Sequence, residues 1–250
     1  MGARGGLCVH LGVQDGALAV KLSDGGRLLV HGLGANRDAV ERARKTIAAA
    51  RLEGAVSVEL GSFDPLPYAD DLVSLIVVDD LPRLLKQGLR SEEVIRVLRP
   101  NGVAWLGQRA GRGRAPLTAK ALQTMLTQAG FGELEIVEDH GVWAKYVRAR
   151  PESMDEWTHC RYNSSGNPVS KENIGVPSSV RWAAGPNWPT GHRKTSVPSV
   201  VVSEKHLVYL FEDEVRTAEG PKRELTLNAR DAYNGLILWK RAGIPRSFLV

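Results

Sequence analysis

Short apolar segments alternate with helical segments from residue 7 to residue 137, and this alternation limits the chain to a small set of folds. The apolar segments have the length of buried strands, and Leu72–Val78 is continuously apolar, as a central parallel strand is. Strands are predicted at Leu7–Leu11, Leu28–Leu33, Val56–Leu60, Leu72–Val78 and Val103–Leu106, and helices at Ala17–Leu22, Asn36–Arg51, Ser91–Leu98 and Thr118–Ala129. Such an alternation predicts an α/β three-layer sandwich whose sheet is mainly parallel.

The ends of several elements are also predicted. Asn36 or Asp38 is expected to cap the second helix, and Ser91 the third. Residues 99–102 (Arg-Pro-Asn-Gly) are expected to form a turn before the fifth strand. Two further strands, Leu134–Val137 and Trp143–Val147, follow one another without a helix, which predicts an antiparallel hairpin at the sheet edge.

The character of the sequence changes near residue 150, where the helical periodicity ends. Four of the six tryptophans fall in the last 100 residues, namely Trp157, Trp182, Trp188 and Trp239. Apolar β-rich runs form two predicted hairpins, the first joining 197–202 to 207–211 and the second joining 225–230 to 236–240. We therefore expect an α/β domain over residues 1–148 and an all-β segment over residues 149–250.

Charge and composition exclude several classes of protein. The net charge of +5 is spread over both halves, so neither half is predicted to bind nucleic acid. The arginine–glycine stretch at 109–114 is interpreted as a solvated loop. No apolar stretch approaches membrane-spanning length, and two cysteines exclude a disulfide framework; no metal site is predicted. No hydrophobic signal region precedes residue 7, so the default expectation is the cytoplasm, or the periplasm if this N-terminus is truncated.

A glycine turn follows the first strand. Gly12 and Gly16 bracket the turn into the first helix, at the place where doubly wound sheets receive a ligand. Glycine lets the backbone approach a ligand closely, although tight turns between a strand and a helix favour glycine for structural reasons alone. The spacing by itself leaves both interpretations open.

Three motifs resemble the class I S-adenosylmethionine (SAM) methyltransferases over about 140 residues. They are the glycine turn with its strand at 10–16 (HLGVQDG), the segment at 66–70 (LPYAD) and the segment at 96–102 (RVLRPNG). The last two are similar to the LPF-x-D and R-x-L-(K/R)-P-G-G signatures of the family. The resemblance implies a Rossmann-like fold with a terminal antiparallel hairpin, with SAM as the cofactor and a small-molecule methyl acceptor as a partner.

The resemblance also assigns cofactor-binding positions, and several of them depart from the family pattern. The implied positions are Gly12, Gln14, Gly16, Gly34, Ser62, Phe63, Asp64 and Asp79. Gln14 replaces the central glycine of the family, and Gly34 replaces the carboxylate that accepts hydrogen bonds from the ribose hydroxyls. Ser62 replaces the acid expected near the adenine, with Asp64 as a substitute. Losing the ribose carboxylate costs about 2–3 kcal/mol, or roughly 30- to 150-fold in affinity.

No residue is identified as catalytic. Asp79 and Asp80, after the fourth strand, are interpreted as solvated acids, with a role as proton acceptor as the alternative. His10, His31 and Cys8 lie on apolar strands and are expected to be buried in the core.

The second half carries another resemblance. Residues 229–240 (Ala-x-Asp-x-x-Asn-Gly-x-x-x-Trp-Lys) resemble the repeat of quinoprotein-type, pyrroloquinoline quinone (PQQ)-like β-propellers, and the two-domain order resembles a bacterial family. The resemblance implies that Asp231 and Asn234-Gly235 form a turn and that Trp239 docks between blades. About 100 residues supply only part of a propeller, so we expect a truncated chain, exposed β edges open to a protein partner, and no PQQ site.

Two functions follow from these resemblances. The first is SAM-dependent methyl transfer to an unidentified small-molecule or protein acceptor. The second is a catalytically inactive Rossmann module that serves as a structural or interaction partner of a quinoprotein-like propeller.

Overall fold

The computed structural model describes residues 5–111, 116–172, 180–183 and 200–244. The chain divides into two units, Met1–Arg150 and Pro151–Val250. Each unit contains its own sheet, and the units are described separately below.

The first unit is built on a seven-stranded mixed sheet. Its strands are β1 (Leu7–Leu11), β2 (Leu29–Gly34), β3 (Val56–Leu60), β4 (Val73–Val78), β5 (Leu98–Arg109), β6 (Leu134–Glu138) and β7 (Gly141–Val147). The order across the sheet is β3-β2-β1-β4-β5-β7-β6. The first five strands pair in parallel, whereas β7 runs antiparallel to both β5 and β6. The predicted terminal antiparallel hairpin is therefore confirmed.

Five helices cover the two faces of this sheet, and the predicted three-layer arrangement is confirmed. They are α1 (Ala17–Leu22), α2 (Arg37–Ala49), α3 (Leu81–Lys86), α4 (Ser91–Val97) and α5 (Ala119–Gln128). Buried side chains of α1 and α2 form one core cluster with Cys8, Val30 and Leu75 of the sheet. Buried side chains of α3, α4 and α5 form the other, with sheet residues that alternate with the first set.

Three local predictions in this unit are wrong. Helix α3 was not predicted, because six residues give fewer than two turns of periodicity; Pro82 in its first turn is a sign of a helix start. Ser91 does not cap α4, because the preceding Arg90 holds the extended cap conformation and no side chain bonds the helix end. Residues 99–102 are part of β5, which absorbs them through a register shift against β4.

The N-terminal caps of α2 and α5 agree with the sequence. Asn36 Oδ1 accepts a hydrogen bond from the Ala39 amide at 2.9 Å, so Asn36 rather than Asp38 caps α2. Thr118 Oγ1 accepts a hydrogen bond from the Ala121 amide at 3.2 Å at the start of α5. These caps satisfy amides that have no partner within the helix.

The second unit contains a four-stranded antiparallel sheet. Its strands, β8 (Val200–Ser203), β9 (His206–Thr217), β10 (Gly220–Asp231) and β11 (Ile237–Arg241), lie in the order β11-β10-β9-β8. Both predicted hairpins are present, and β9 and β10 extend beyond the predicted runs. Residues 197–199 and Trp188 lie outside the described residues. Trp157 pairs with Val202 through two backbone hydrogen bonds and so covers part of the β8 edge.

The turn between β10 and β11 forms as its sequence predicts. Asp231 Oδ1 accepts from the Tyr233 amide at 2.9 Å, and the Asp231 carbonyl accepts from the Gly235 amide at 2.8 Å. The ring of Trp182 lies where a side chain on Gly235 would be, and its Nε1 donates to the Ala232 carbonyl at 3.0 Å. Asp231, glycine and a packed tryptophan therefore fix this turn.

Helices long and apolar enough to cross a membrane do not occur among the described residues. Cys8 is fully buried, as expected, and burial raises the pKa of its thiol to about 12.

Candidate cofactor site

The carboxyl ends of the first four strands meet at one edge of the sheet, because β1 to β4 are parallel. Gly12 follows β1, Gly34 ends β2, residues 61–64 follow β3 and Asp79 follows β4. The amides of Gly12 and Val13 both donate to the Leu33 carbonyl, at 2.8 and 3.1 Å, and the Gly61 amide donates to the Gly34 carbonyl at 3.2 Å. Ligands of doubly wound sheets bind at this edge.

The glycine turn has the backbone that its sequence predicts. Gly12 and Gly16 have φ angles of +81° and +78°, which side chains disfavour. Between them, Gln14 is half-buried and Asp15 is exposed. Asp15 Oδ1 accepts a hydrogen bond from the Ala17 amide at 3.1 Å, so a carboxylate within the turn already bonds an amide at the start of α1.

The structural role of Gly16 can be separated from a role in ligand binding. A Cβ atom on Gly16 would lie 2.8 Å from the carbonyl oxygen of Ala43, so α1 packs on α2 through a glycine contact. We expect Gly16→Ala to lower the free energy of unfolding by about 2 kcal/mol more than Gly25→Ala. Gly25 is the matched control, because its φ is +67° but nothing lies within 4 Å of its Cβ position. Denaturant titration of both variants tests this, and equal losses would contradict it.

Gly34 lies where the resemblance implies a ribose-binding carboxylate. A Cβ atom there would lie 2.7 Å from Val40 Cγ2 and 3.7 Å from the Val13 carbonyl of the glycine turn. The position therefore faces the turn, but Val40 occupies the space that a side chain would need. Gly34 and Val40 together leave this part of the edge apolar.

The loop after β3 holds three predicted site residues in different environments. The Ser62 hydroxyl donates to the Asp64 carbonyl at 2.8 Å and accepts from the Asp64 amide at 3.1 Å. Asp64 is exposed and pairs with Arg90 at 3.2 Å, whereas Phe63 is buried in the core. Ser62 and Asp64 are therefore accessible to solvent at this edge, and the buried Phe63 side chain packs the loop against the core.

Asp79 and Asp80 are both buried, so their interpretation as solvated acids is wrong. Only 4% of Asp79 and 6% of Asp80 is exposed. Asp79 Oδ1 lies 3.3 Å from Nε2 of His10, which is buried as predicted. Asp80 Oδ2 lies 3.2 Å from Arg83 Nε. Buried carboxylates require such partners, because desolvation disfavours an isolated charge.

Arg83 is the site residue that sequence reasoning missed. It projects from α3, and its Nη2 donates to the carbonyl of Gly12 at 2.8 Å. A cation therefore contacts the first residue of the glycine turn. The only signal in the sequence was the acid three residues earlier, Asp80, at the spacing of a helical ion pair.

Two motifs of the resemblance form one structural unit beneath the site. Arg96, from the 96–102 segment, binds Glu93 with two hydrogen bonds of 2.8 and 2.7 Å and Asp70 with one of 2.6 Å. It also donates to the Leu66 and Tyr68 carbonyls of the 66–70 segment. The hydrogen bonds from Arg96 hold the pKa of Glu93 at about 2.

Tyr68 connects the same loop to β2. Its hydroxyl lies 2.6 Å from His31 Nδ1, and the two rings meet edge to face. Burial lowers the pKa of His31 and raises that of Tyr68, so burial favours the neutral form of both hydrogen-bonded groups. Within the described ranges, no group of three or more His, Cys, Asp or Glu side chains is arranged to hold a metal ion.

Comparisons with known proteins address this fold. No protein-family model matches the chain, and no curated protein matches it. A solved structure from Methanococcus maripaludis, assigned by its name to the SAM-dependent methyltransferases, matches with a TM-score of 0.52 at 21% identity, over 61% of this chain and 82% of that one. The first unit has the Rossmann-like methyltransferase fold. A SAM-dependent methyltransferase of Aquifex aeolicus matches with a TM-score of 0.48 at 22% identity, over 58% of this chain and 84% of that one.

Proposed function

We propose that the first unit binds SAM at the edge formed by Gly12–Gly16, Gly34, residues 62–64 and Asp79, and transfers its methyl group to an acceptor. The acceptor is a small molecule or a protein. The observation that carries the proposal is the glycine turn, in which Asp15 occupies an amide at the start of α1. The fold of the first unit is compatible with this cofactor.

The charge of the turn favours SAM over a dinucleotide. Dinucleotide sites present free amides at a helix N-terminus to a pyrophosphate. Here the Asp15 carboxylate bonds the Ala17 amide and would repel a phosphate at the same place. SAM carries no phosphate and has a positive sulfonium, so an acid in the turn does not oppose it.

The residues present fit SAM in part. Gly12 keeps the positive φ angle of the turn, although Leu84 and Arg83 occupy the space on its Cβ side. Gly34 offers no acceptor to the ribose, and Val40 fills the adjacent space. Bound SAM supplies an electrophilic methyl group on sulfur, and most of the catalytic help in such an in-line displacement comes from positioning. Asp79, held by His10, is the group we assign to accept the acceptor's proton.

A titration of the full chain with S-adenosylhomocysteine tests the proposed cofactor. We expect a Kd on the order of 100 μM, because loss of the ribose carboxylate costs about 2–3 kcal/mol relative to a site of about 1 μM. NAD⁺ serves as the matched competitor, and we expect it to bind at least ~10-fold more weakly because of Asp15. Isothermal titration calorimetry measures both. Tighter binding of NAD⁺, or saturable binding of neither ligand, would show the assignment to be wrong.

The second candidate function is a non-catalytic Rossmann module attached to part of a quinoprotein-like propeller. Gln14 and the contact between Gly34 and Val40 favour it, because Gln14 adds a side chain to the glycine turn and Val40 leaves the Gly34 position apolar. In the second unit, Ile237 and Trp239 of β11 are 53% and 45% exposed, and we propose that this strand is where a protein partner adds. One such sheet supplies one blade, so PQQ is not proposed as a ligand.

A further inference from the structure

The ion pair between Asp80 and Arg83 lies against the glycine turn. Arg83 Nε is 3.2 Å from Asp80 Oδ2, and Arg83 Nη2 donates to the Gly12 carbonyl at 2.8 Å. The Asp80 side chain is 7% exposed, but that of Arg83 is 27% exposed. The cation can therefore be reached from solvent while its partner is nearly buried.

The hydrogen-bonding capacity of Arg83 is not used up by these contacts. The Gly12 carbonyl is the one acceptor that its guanidinium bonds among the described residues, although a guanidinium carries five N–H donors. Its buried Nε has no hydrogen-bond partner, because the approach of Asp80 has the distance but not the direction of a bond. Leaving a buried charged donor unbonded is costly, and a ligand that supplied an acceptor would remove that cost.

The pair presents a solvent-accessible cation, backed by a buried carboxylate, at the proposed cofactor edge. We propose that Arg83, held in place by Asp80, recognises the carboxylate of the α-amino-acid group of a ligand; this rests on the proposed function. Arginine is suited to the carboxylate because it offers parallel donors in a planar fork. In SAM the α-amino-acid group is the methionine end, and an amino-acid methyl acceptor would offer the same chemistry.

Two adenosyl ligands that differ at this end provide the test. S-adenosylhomocysteine carries the α-amino-acid group, whereas 5′-methylthioadenosine has a methyl group on sulfur in place of the whole amino-acid chain. Arg83→Met keeps an apolar side chain about as long as the arginine stem up to Nε and removes the guanidinium with its charge. Arg27→Met is the matched control, because Arg27 is exposed and pairs with Asp24 before the start of β2, whereas the proposed cofactor edge is at the other end of that strand. We expect Arg83→Met to lower the affinity for S-adenosylhomocysteine by about 10- to 100-fold. We expect Arg83→Met to leave the affinity for 5′-methylthioadenosine within twofold, and Arg27→Met to change the affinity for neither ligand.

Each other outcome has a defined meaning. Equal weakening of both ligands would overturn the proposal, because Arg83 would then only hold the glycine turn in place. If Arg83→Met keeps its affinity for both adenosyl ligands, Arg83 does not recognise the cofactor. Glycine is then titrated into the protein saturated with S-adenosylhomocysteine, to test whether Arg83 binds an amino-acid acceptor instead. A saturable shift of the Arg83 Nε–H NMR signal, absent from Arg83→Met, would assign the pair to an amino-acid acceptor, and no shift would overturn the proposal entirely.

Failure of the proposed function gives a different pattern. If the unmodified chain binds neither adenosyl ligand, glycine is titrated alone against the same Nε–H signal. A saturable shift would support the amino-acid site while the SAM proposal fails. An unchanged signal would reject both.

Discussion

Arg96→Met is expected to lower the free energy of unfolding of the first unit by about 3–5 kcal/mol. Arg96 binds the Glu93 carboxylate through two nitrogens, and Glu93 is buried between α4 and the 66–70 loop, where it also accepts from the Leu66 amide at 2.7 Å. Removing the guanidinium leaves that carboxylate without its cation and frees two loop carbonyls. Hydrogen exchange of β4 and β5 amides measures the loss in this unit alone.

The same ion pair predicts a dependence of stability on acid. The hydrogen bonds from Arg96 hold the pKa of Glu93 at about 2, below its ordinary value, so the folded state binds this proton less readily than the unfolded chain. The contribution of Glu93 is therefore complete above about pH 4.5 and is lost as the pH falls towards 2. We expect Arg96→Met and Glu93→Gln to flatten this part of the stability curve.

Glu92→Gln is the matched control for the acid dependence. Glu92 is the neighbouring acid of the same helix and is exposed. Glu92→Gln should leave the pH dependence of the free energy of unfolding between pH 5 and 2 unchanged, since exposed charges contribute little to stability. A curve for Glu93→Gln that matches the curve for Glu92→Gln would refute the assigned role of Glu93.

The parts of the fold that the sequence predicts are those that depend on periodicity and on contiguous motifs. The buried parallel strands, the amphipathic helix capped by Asn36 and the edge hairpin all follow from apolar spacing and cap residues. The 66–70 and 96–102 segments were separate matches in the sequence, and Arg96 joins them in space. Spacing along the chain cannot show that joining, because it depends on how α4 is placed.

The features that sequence reasoning missed depend on tertiary contacts. Adjacent acids at a strand end are typically exposed, but Asp79 and Asp80 are buried because His10 and Arg83 reach them. Arg83 lies on a helix too short to predict by periodicity. The space beside Gly34 could not be inferred either, because Val40 reaches it from the neighbouring helix. In each case a side chain outside the motif decides what the motif can do.

The combined change Gly34→Asp and Val40→Ala is expected to tighten S-adenosylhomocysteine binding by about 30- to 150-fold. An aspartate on Gly34 supplies the acceptor that the ribose hydroxyls lack. The single change Gly34→Asp is expected to fail, because its Cβ would lie 2.7 Å from Val40 Cγ2, and valine has little rotamer freedom in a helix. Removing the two methyl groups of Val40 opens this space, so the two changes are coupled.

Gly34→Asn with Val40→Ala is the matched control for the double variant. Asparagine has the shape of aspartate without its charge, and the amide oxygen is a weaker acceptor for two hydroxyl donors. Calorimetry on the two double variants and on Val40→Ala alone separates the charge from the added space. A gain confined to the aspartate variant identifies Gly34 as the ribose position and the site as one weakened at this residue. Equal affinities of the two double variants would place the ribose elsewhere, and absence of binding in both would favour the non-catalytic module.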